Sequence, residues 1–398
     1  MSGTAKSGSI PSMAGEIRVA TMVDNLIPGG GAERIATELL LRLDRIRFSP
    51  YAIVTRPLLG QAADAVRAAG VPVLVLDRQH RRDLLAWKPA FRLLRRERID
   101  VLHCHKFGSN VWGSIIGPLS GVPVVVSHEH SWSYEGAPLR RLLDRQVVAR
   151  GSKLLLAVSR ADERRMHEVE GIPRERTRFV QLGIPPLGTV ARDVRAELGI
   201  AADAPVVGTV CGLWPVKRLE DLVAAARLLR GEFPALEVLV AGTGPEREQL
   251  EALADGAPVR FLGFWPPVEL ASLLAALDVG VNCSDSEGSP LFVMELMAAG
   301  KALVASRVGG TPDLVDDGVH GLLVPPRDPR ALALAIGSLL GDPARRAELG
   351  ARARERQRAE LDVDVFVRRI EAVYEELLAR HGATKADLRG HGAHTVQR

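Results

Sequence analysis

Two carboxylates eight positions apart, Glu287 and Glu295, bracket the run Gly288, Ser289, Pro290, Leu291, Phe292. Ser289 before Pro290 reads as a helix N-cap followed by the first helical position, where proline's missing N–H is no loss. Leu291, Val293, Met294, Met297 and Ala298 continue at helical spacing, and Gly300 is the stop signal. A helix starting at Pro290 would crowd free N–H groups of Gly288 to Phe292 at its tip, where they and the helix dipole favour an anion such as a phosphate. Carboxylates beside such an anion cannot serve the anion itself. They are suited to accepting hydrogen bonds from hydroxyls, Glu287 from the loop and Glu295 from about two turns inside the helix.

The run Glu287, Glu295, Gly300, Gly309, Gly310, Asp313 resembles the donor-site signature of the retaining glycosyltransferases of family 4, also known as glycosyl transferases group 1. The resemblance extends over nearly all of Ile17 to Leu378. It implies an α/β protein of the GT-B fold, two doubly wound Rossmann-like domains facing a central cleft. It also implies a nucleoside-diphosphate sugar as co-substrate, with Glu287 touching the transferred sugar and Glu295 the ribose. Gly263 and Phe264, or Trp265, would lie at the nucleobase, and the Gly242-Thr243-Gly244-Pro245 loop falls at the end of the preceding strand. His130 would stand near the donor sugar and His105 on the acceptor side. Gly30 and Gly31, in Gly-Gly-Ala-Glu, would face the diphosphate and acceptor; read from the residues alone, they form a tight turn between strand and helix. The chain departs from the family twice: Gly212 stands where an arginine usually precedes the lysine by five residues, and Leu182 stands where an asparagine precedes Gly183.

Lys217 and Arg218 head a helix, placed to receive the charge of a departing diphosphate. His103, His105, His128 and His130 end two strands in alternating pairs. Alternation points only one pair per strand to a common face, and only Glu129 joins them as an acid, so no metal is expected. No other cofactor is expected either.

These residues need strand ends and helix starts to hold them. Short apolar runs at Ile17–Val23, Tyr51–Thr55, Val71–Leu76, Val101–Cys104, Val122–Ser127 and Leu154–Ser159 alternate with helical stretches, and the alternation resumes from Val206. That is the pattern of parallel sheets covered by helices, with ligands at the carboxyl ends of the strands. The organisation expected is a disordered tail over 1–15, an acceptor-side domain over 16–187, a linker over 188–205, a nucleotide-sugar donor domain over 206–362, a helix over 363–379 returning to the first domain, and a disordered tail over 380–398.

With 398 residues, 46% hydrophobic and 25% charged, the chain is an ordinary globular protein large enough for two cores. Its net charge of +4 is spread over many helices, and aromatics are only 4%, so nucleic acid is not an expected partner. Arg78 to Arg98 is dense in arginine with Leu84, Leu85, Trp87 and Phe91 interleaved. It reads either as a contact with an anionic membrane surface or as a solvated helix; Arg140 to Arg145 would join the former. Three separate cysteines, no apolar run near the ~20 residues of a membrane span and no apolar signal core point to the cytoplasm, or to the inner face of the membrane if Arg78–Arg98 makes that contact.

The expected function is transfer of a sugar from a nucleoside diphosphate to a hydroxyl of a glycan or lipid-linked acceptor in cell-envelope synthesis. A nucleotide-sugar epimerase of the same fold and a non-catalytic nucleotide-binding partner are the alternatives.

Overall fold

Strands rich in valine, isoleucine and leucine, buried on both faces, need helices on either side, and the chain supplies them between nearly every pair. In the computed structural model, residues 16–27, 30–78, 80, 83–130 and 137–392 are described, apart from the side chains beyond 382. The first sheet contains β1 (Ile17–Val23), β2 (Phe48–Val54), β3 (Val73–Val75), β4 (Val101–His105), β5 (Val124–Glu129), β6 (Leu154–Ala157) and β7 (Thr177–Phe179), in the order β3-β2-β1-β4-β5-β6-β7. The second contains β8 (Val206–Val210), β9 (Glu237–Ala241), β10 (Val259–Gly263), β11 (Val279–Asn282), β12 (Ala302–Ser306) and β13 (Leu322–Val324), in the order β10-β9-β8-β11-β12-β13.

The pairing is parallel, as in β1 with β2 from Ile17 opposite Phe48 to Val23 opposite Val54, and β8 with β9 from Val206 opposite Glu237. In each sheet the winding reverses beside the first strand, between β1 and β4 and between β8 and β11. Ligands of doubly wound sheets gather at the carboxyl ends of such strands.

Packing divides the chain into two compact units. One holds the residues up to Ser127, 146–154 and those from Glu371 onward; the other holds His128–Arg145 and Leu155–Ile370. The core of the first is built on Met22, Ile53, Leu76, Leu94, Leu102 and Cys104, and that of the second on Val207, Leu222, Val238, Val281, Val304 and Ile336, all buried.

Several sequence expectations need correction. The key helix spans Leu291–Ala299, with Pro290 in extended conformation at the N-cap and no side chain capping it, so Ser289 is not the cap. Glu295 therefore lies little more than one turn inside. Residues 188–205 include a short helix, Val194–Glu197, and Arg192 pairs with Glu197 and Glu269, so much of this stretch is packed rather than a bare connection. The last helix runs from Val363 to Gly392, well past the expected start of a disordered tail at 380. The expected tail over 1–15, and residues 393–398, lie outside the described residues. Among the described residues, no helix is long and apolar enough to cross a membrane.

In the first unit, Glu371 accepts hydrogen bonds from the Asp44 backbone N–H (2.8 Å) and from Arg47 (2.6 Å). The hydroxyl of buried Tyr374 lies 2.6 Å from His103 Nδ1.

Candidate functional site

Strand β11 ends at Asn282, and the loop after it is organised around Glu287. Its Oε1 accepts a hydrogen bond from Lys217 Nζ at 2.7 Å and another from Ser284 Oγ at 2.6 Å. Lys217 is brought there by backbone. It ends a tight turn, Pro215–Lys217, which Cys283 Sγ and the Asp285 N–H bond from below through the carbonyls of Lys217 and Val216 (3.3 and 2.8 Å). Burial works against the Lys217 ammonium, but the adjacent Glu287 carboxylate outweighs it and holds the lysine above its ordinary pKa.

Arg218 stands next to Lys217 among acids. It adopts a left-handed conformation (φ 52°), and its guanidinium is bound by Asp221 at 3.2 Å and Glu220 at 2.7 Å, with Asp285 3.9 Å away. Its charge is held by carboxylates, so the structure places Lys217, and not Arg218, at Glu287. Glu295 is buried on the helix Leu291–Ala299. The N–H groups of the first turn of that helix now belong to Leu291, Phe292 and Val293, because Pro290 has none.

Gly309 and Gly310 are explained by contact. A Cβ on Gly309, whose φ is +49°, would sit 1.7 Å from the Glu287 carbonyl, and one on Gly310 would sit 2.0 Å from the Gly288 carbonyl. The Gly310 N–H donates to the Glu287 carbonyl at 3.2 Å. The glycine pair thus grips the backbone that carries Glu287. Gly288 in turn leaves no room for a side chain, because a Cβ there would stand 2.6 Å from the His130 carbonyl. His130 therefore reaches this loop through its backbone, while its ring lies 4.4 Å from that of His128. Burial depresses the pKa of His128 to about 3, which leaves it neutral.

The Gly242 and Gly244 positions are occupied by neighbouring backbone. A Cβ at either would fall within 2.3 Å of the Cys211 or Leu213 carbonyl, so these glycines let the β9 loop pack on the β8 loop. Gly263 has φ +73°, and Phe264 beside it is 60% exposed, open to a ligand. Trp265 is engaged: its Nε1 donates to the Glu269 carbonyl, and Arg192 lies over its ring. In the first unit Gly30 caps the helix that begins at Gly31, and Glu33 in its first turn pairs with Lys106.

The Glycosyltransferase Family 4 profile matches residues 29–187, and the Glycosyl transferases group 1 profile matches residues 204–342. A D-inositol 3-phosphate glycosyltransferase of Frankia alni is 34% identical over 330 residues, 74% of this chain and 81% of that protein. The chain belongs to glycosyltransferase family 4.

The enzyme of the same name from Corynebacterium glutamicum is 28% identical to this family 4 glycosyltransferase over 360 residues, 81% of the chain and 86% of the relative. Among solved structures, Anabaena Alr3699/HepE in complex with UDP and glucose matches with a TM-score of 0.79 at 22% identity, over 91% of this chain and all of that one (100%). WaaG, a glycosyltransferase involved in lipopolysaccharide biosynthesis, matches with a TM-score of 0.67 at 16% identity, over 89% of this chain and 99% of that one. These likenesses establish the GT-B fold.

Two features of this glycosyltransferase were not read from the sequence. The indole of Trp214 covers Gly212, with Cδ1 only 2.8 Å from where a Cβ at 212 would stand. The space above Gly212 is therefore filled by an aromatic ring, and nothing in the spacing signals it. Ser284 as a partner of Glu287 was legible in principle, being a hydroxyl at a strand end three residues before the acid.

Proposed function

We propose that the protein is a retaining transferase that moves a sugar from a nucleoside diphosphate to a hydroxyl acceptor. The observation that carries this reading is the Lys217–Glu287 pair, 2.7 Å apart in the loop that leads into the helix Leu291–Ala299. The main barrier to such a transfer is the negative charge growing on the departing diphosphate. A partly buried ammonium and the N–H groups of a helix tip oppose that charge without waiting for solvent to reorganise. Glu287, steadied by Ser284 and Lys217, would accept hydrogen bonds from the sugar, and Glu295 from the ribose. Attack from the front face, with the donor phosphate taking the acceptor proton, retains configuration without a covalent sugar on Glu287, whose Oε1 already takes the bonds from Lys217 and Ser284.

The reading requires no metal, so a chelator should leave turnover unchanged. The relatives' name makes D-inositol 3-phosphate the first acceptor to try. A lipid-linked acceptor of the cell envelope, met at the inner face of the membrane, is favoured by one feature of the first unit: Leu84 and Leu85 are 64% and 82% exposed beside the basic helix Lys88–Arg96.

The test is purified protein with UDP-, GDP- and ADP-sugars, each with both acceptor types and alone, followed by NMR of the product's anomeric centre. Retained configuration supports the reading and inversion overturns it. An altered sugar with donor alone would identify an epimerase. Vesicle binding that persists after charge reversal of Arg92, Arg95 and Arg96 would remove the membrane contact.

A further inference from the structure

Behind the candidate site, the second unit buries four ionisable side chains against one another. Arg140, in the helix Pro138–Leu143, lies 3.0 Å from Glu129 at the end of β5 and 3.4 Å from Asp144. Asp144 opens a π-turn, Asp144–Val148, and burial together with its charge raises the pKa of nearby Glu170. All four residues are less than one-tenth exposed. Among the described residues three acids face the Arg140 guanidinium, and Arg145 lies beside Gly171. Burying such a group is expensive, and apolar side chains of like volume would commonly be as stable, so stability alone does not account for it.

The cluster touches the candidate site by two routes. Glu129 is followed directly by His130, whose carbonyl abuts Gly288. Glu170 follows the helix Arg160–Glu168; at the far end of that helix the Arg160 N–H donates to Asp313 at 2.8 Å, and the Ser159 side chain lies against Gly310. Gly310 packs on the Gly288 carbonyl. Both routes end on the residue next to Glu287.

We propose that Arg140 is a positioning residue for glycosyl transfer: forked between Glu129 and Asp144, it sets the two backbone segments that hold the Glu287–Gly288 peptide. The proposal rests on the reading of Glu287 as the donor-side carboxylate. A lysine at 140 keeps the charge but not the two-pronged geometry. Misplacing reacting groups by about 1 Å can cost on the order of 10²-fold in rate.

The test is Arg140→Lys in the full chain, measured by hydrogen exchange and by kinetics with the sugar nucleotide and acceptor of the panel above that the parent turns over fastest. The proposal expects exchange in the 284–296 peptide to accelerate at least about tenfold while the 219–229 helix is unchanged, and kcat to fall about tenfold or more with KM within about twofold. Unchanged exchange at 284–296, or kcat within about twofold of the parent, overturns it. Should Arg140→Lys fail to fold, Glu129→Gln is judged by the same criteria. Lys217→Ala and Glu287→Gln are run in parallel: if they leave turnover intact, the reading of the site fails, and the exchange result still decides what Arg140 holds.

Discussion

Lys217 is pulled two ways, by burial toward neutrality and by Glu287 toward charge, and the carboxylate prevails. Removing the ammonium should matter mainly when the diphosphate leaves: Lys217→Ala is expected to lower kcat by roughly 10²-fold, about 3 kcal/mol, with a smaller change in KM. Steady-state kinetics that show only a raised KM would contradict that role. At Gly212 the expectation is steric. An arginine placed there meets the Trp214 ring at 2.8 Å, so Gly212→Arg alone should lower activity, and adding Trp214→Ala should recover part of it. Glu170 gives a pH prediction. Burial, then the neighbouring Asp144 charge, pushes its pKa up to about 10 from an ordinary 4.5. The folded state keeps a proton that the unfolded chain releases, so this stabilisation is complete below about pH 4.5 and is lost as pH rises toward 10. Thermal unfolding should show stability declining across that window by up to ~1.4 kcal/mol per pH unit, and Glu170→Gln should flatten the slope. Buried His128 has the opposite sign, its stabilisation lost as pH falls from 6.5 toward 3.

Among the elements, the loops that meet backbone to backbone tolerate least. Gly309→Ala puts a methyl 1.7 Å from the Glu287 carbonyl and forces a positive φ on alanine, so it should lower both the melting temperature and kcat, whereas Gly70→Ala, with open space around it, should spare kcat. Differential scanning fluorimetry with kinetics on the two variants checks this. The strands were legible because β-branched apolar runs have few other uses, and the helix Pro329–Leu340 because Asp328 and Pro329 state its start. The helix Leu291–Ala299 was misplaced by one residue, since a serine before a proline suits two registers and packing chose the one with proline outside. The helix Pro343–Glu360 escaped notice because Leu349 is its single large apolar side chain, which leaves little apolar periodicity to read. At the site, Glu287 and the glycines were picked out by the resemblance of their run to the family signature, and Lys217 by its place at the head of a helix. The cage around Arg218 and the contacts of Arg140 were not, because a charge pattern does not say which partner a long side chain reaches.

For the molecule as a whole, two cores and two parallel sheets follow from alternating apolar runs on a chain of this length. What alternation cannot convey is that residues from Glu371 onward complete the first unit: Tyr374 is buried there against Phe48, and Arg47 is bound by Glu371 and Glu375. Tyr374→Ala should therefore destabilise the first unit by about 3–5 kcal/mol, with exchange rising in β1, β2 and β4 and little change in β8 to β12. The same wiring bears on biosynthesis. At translation speeds of about 5–20 residues per second, the opening Rossmann-like half would emerge on the order of ten seconds or more before its closing tyrosine. Over that interval, the nascent surface around Phe48 lacks the ring that covers it in the finished protein.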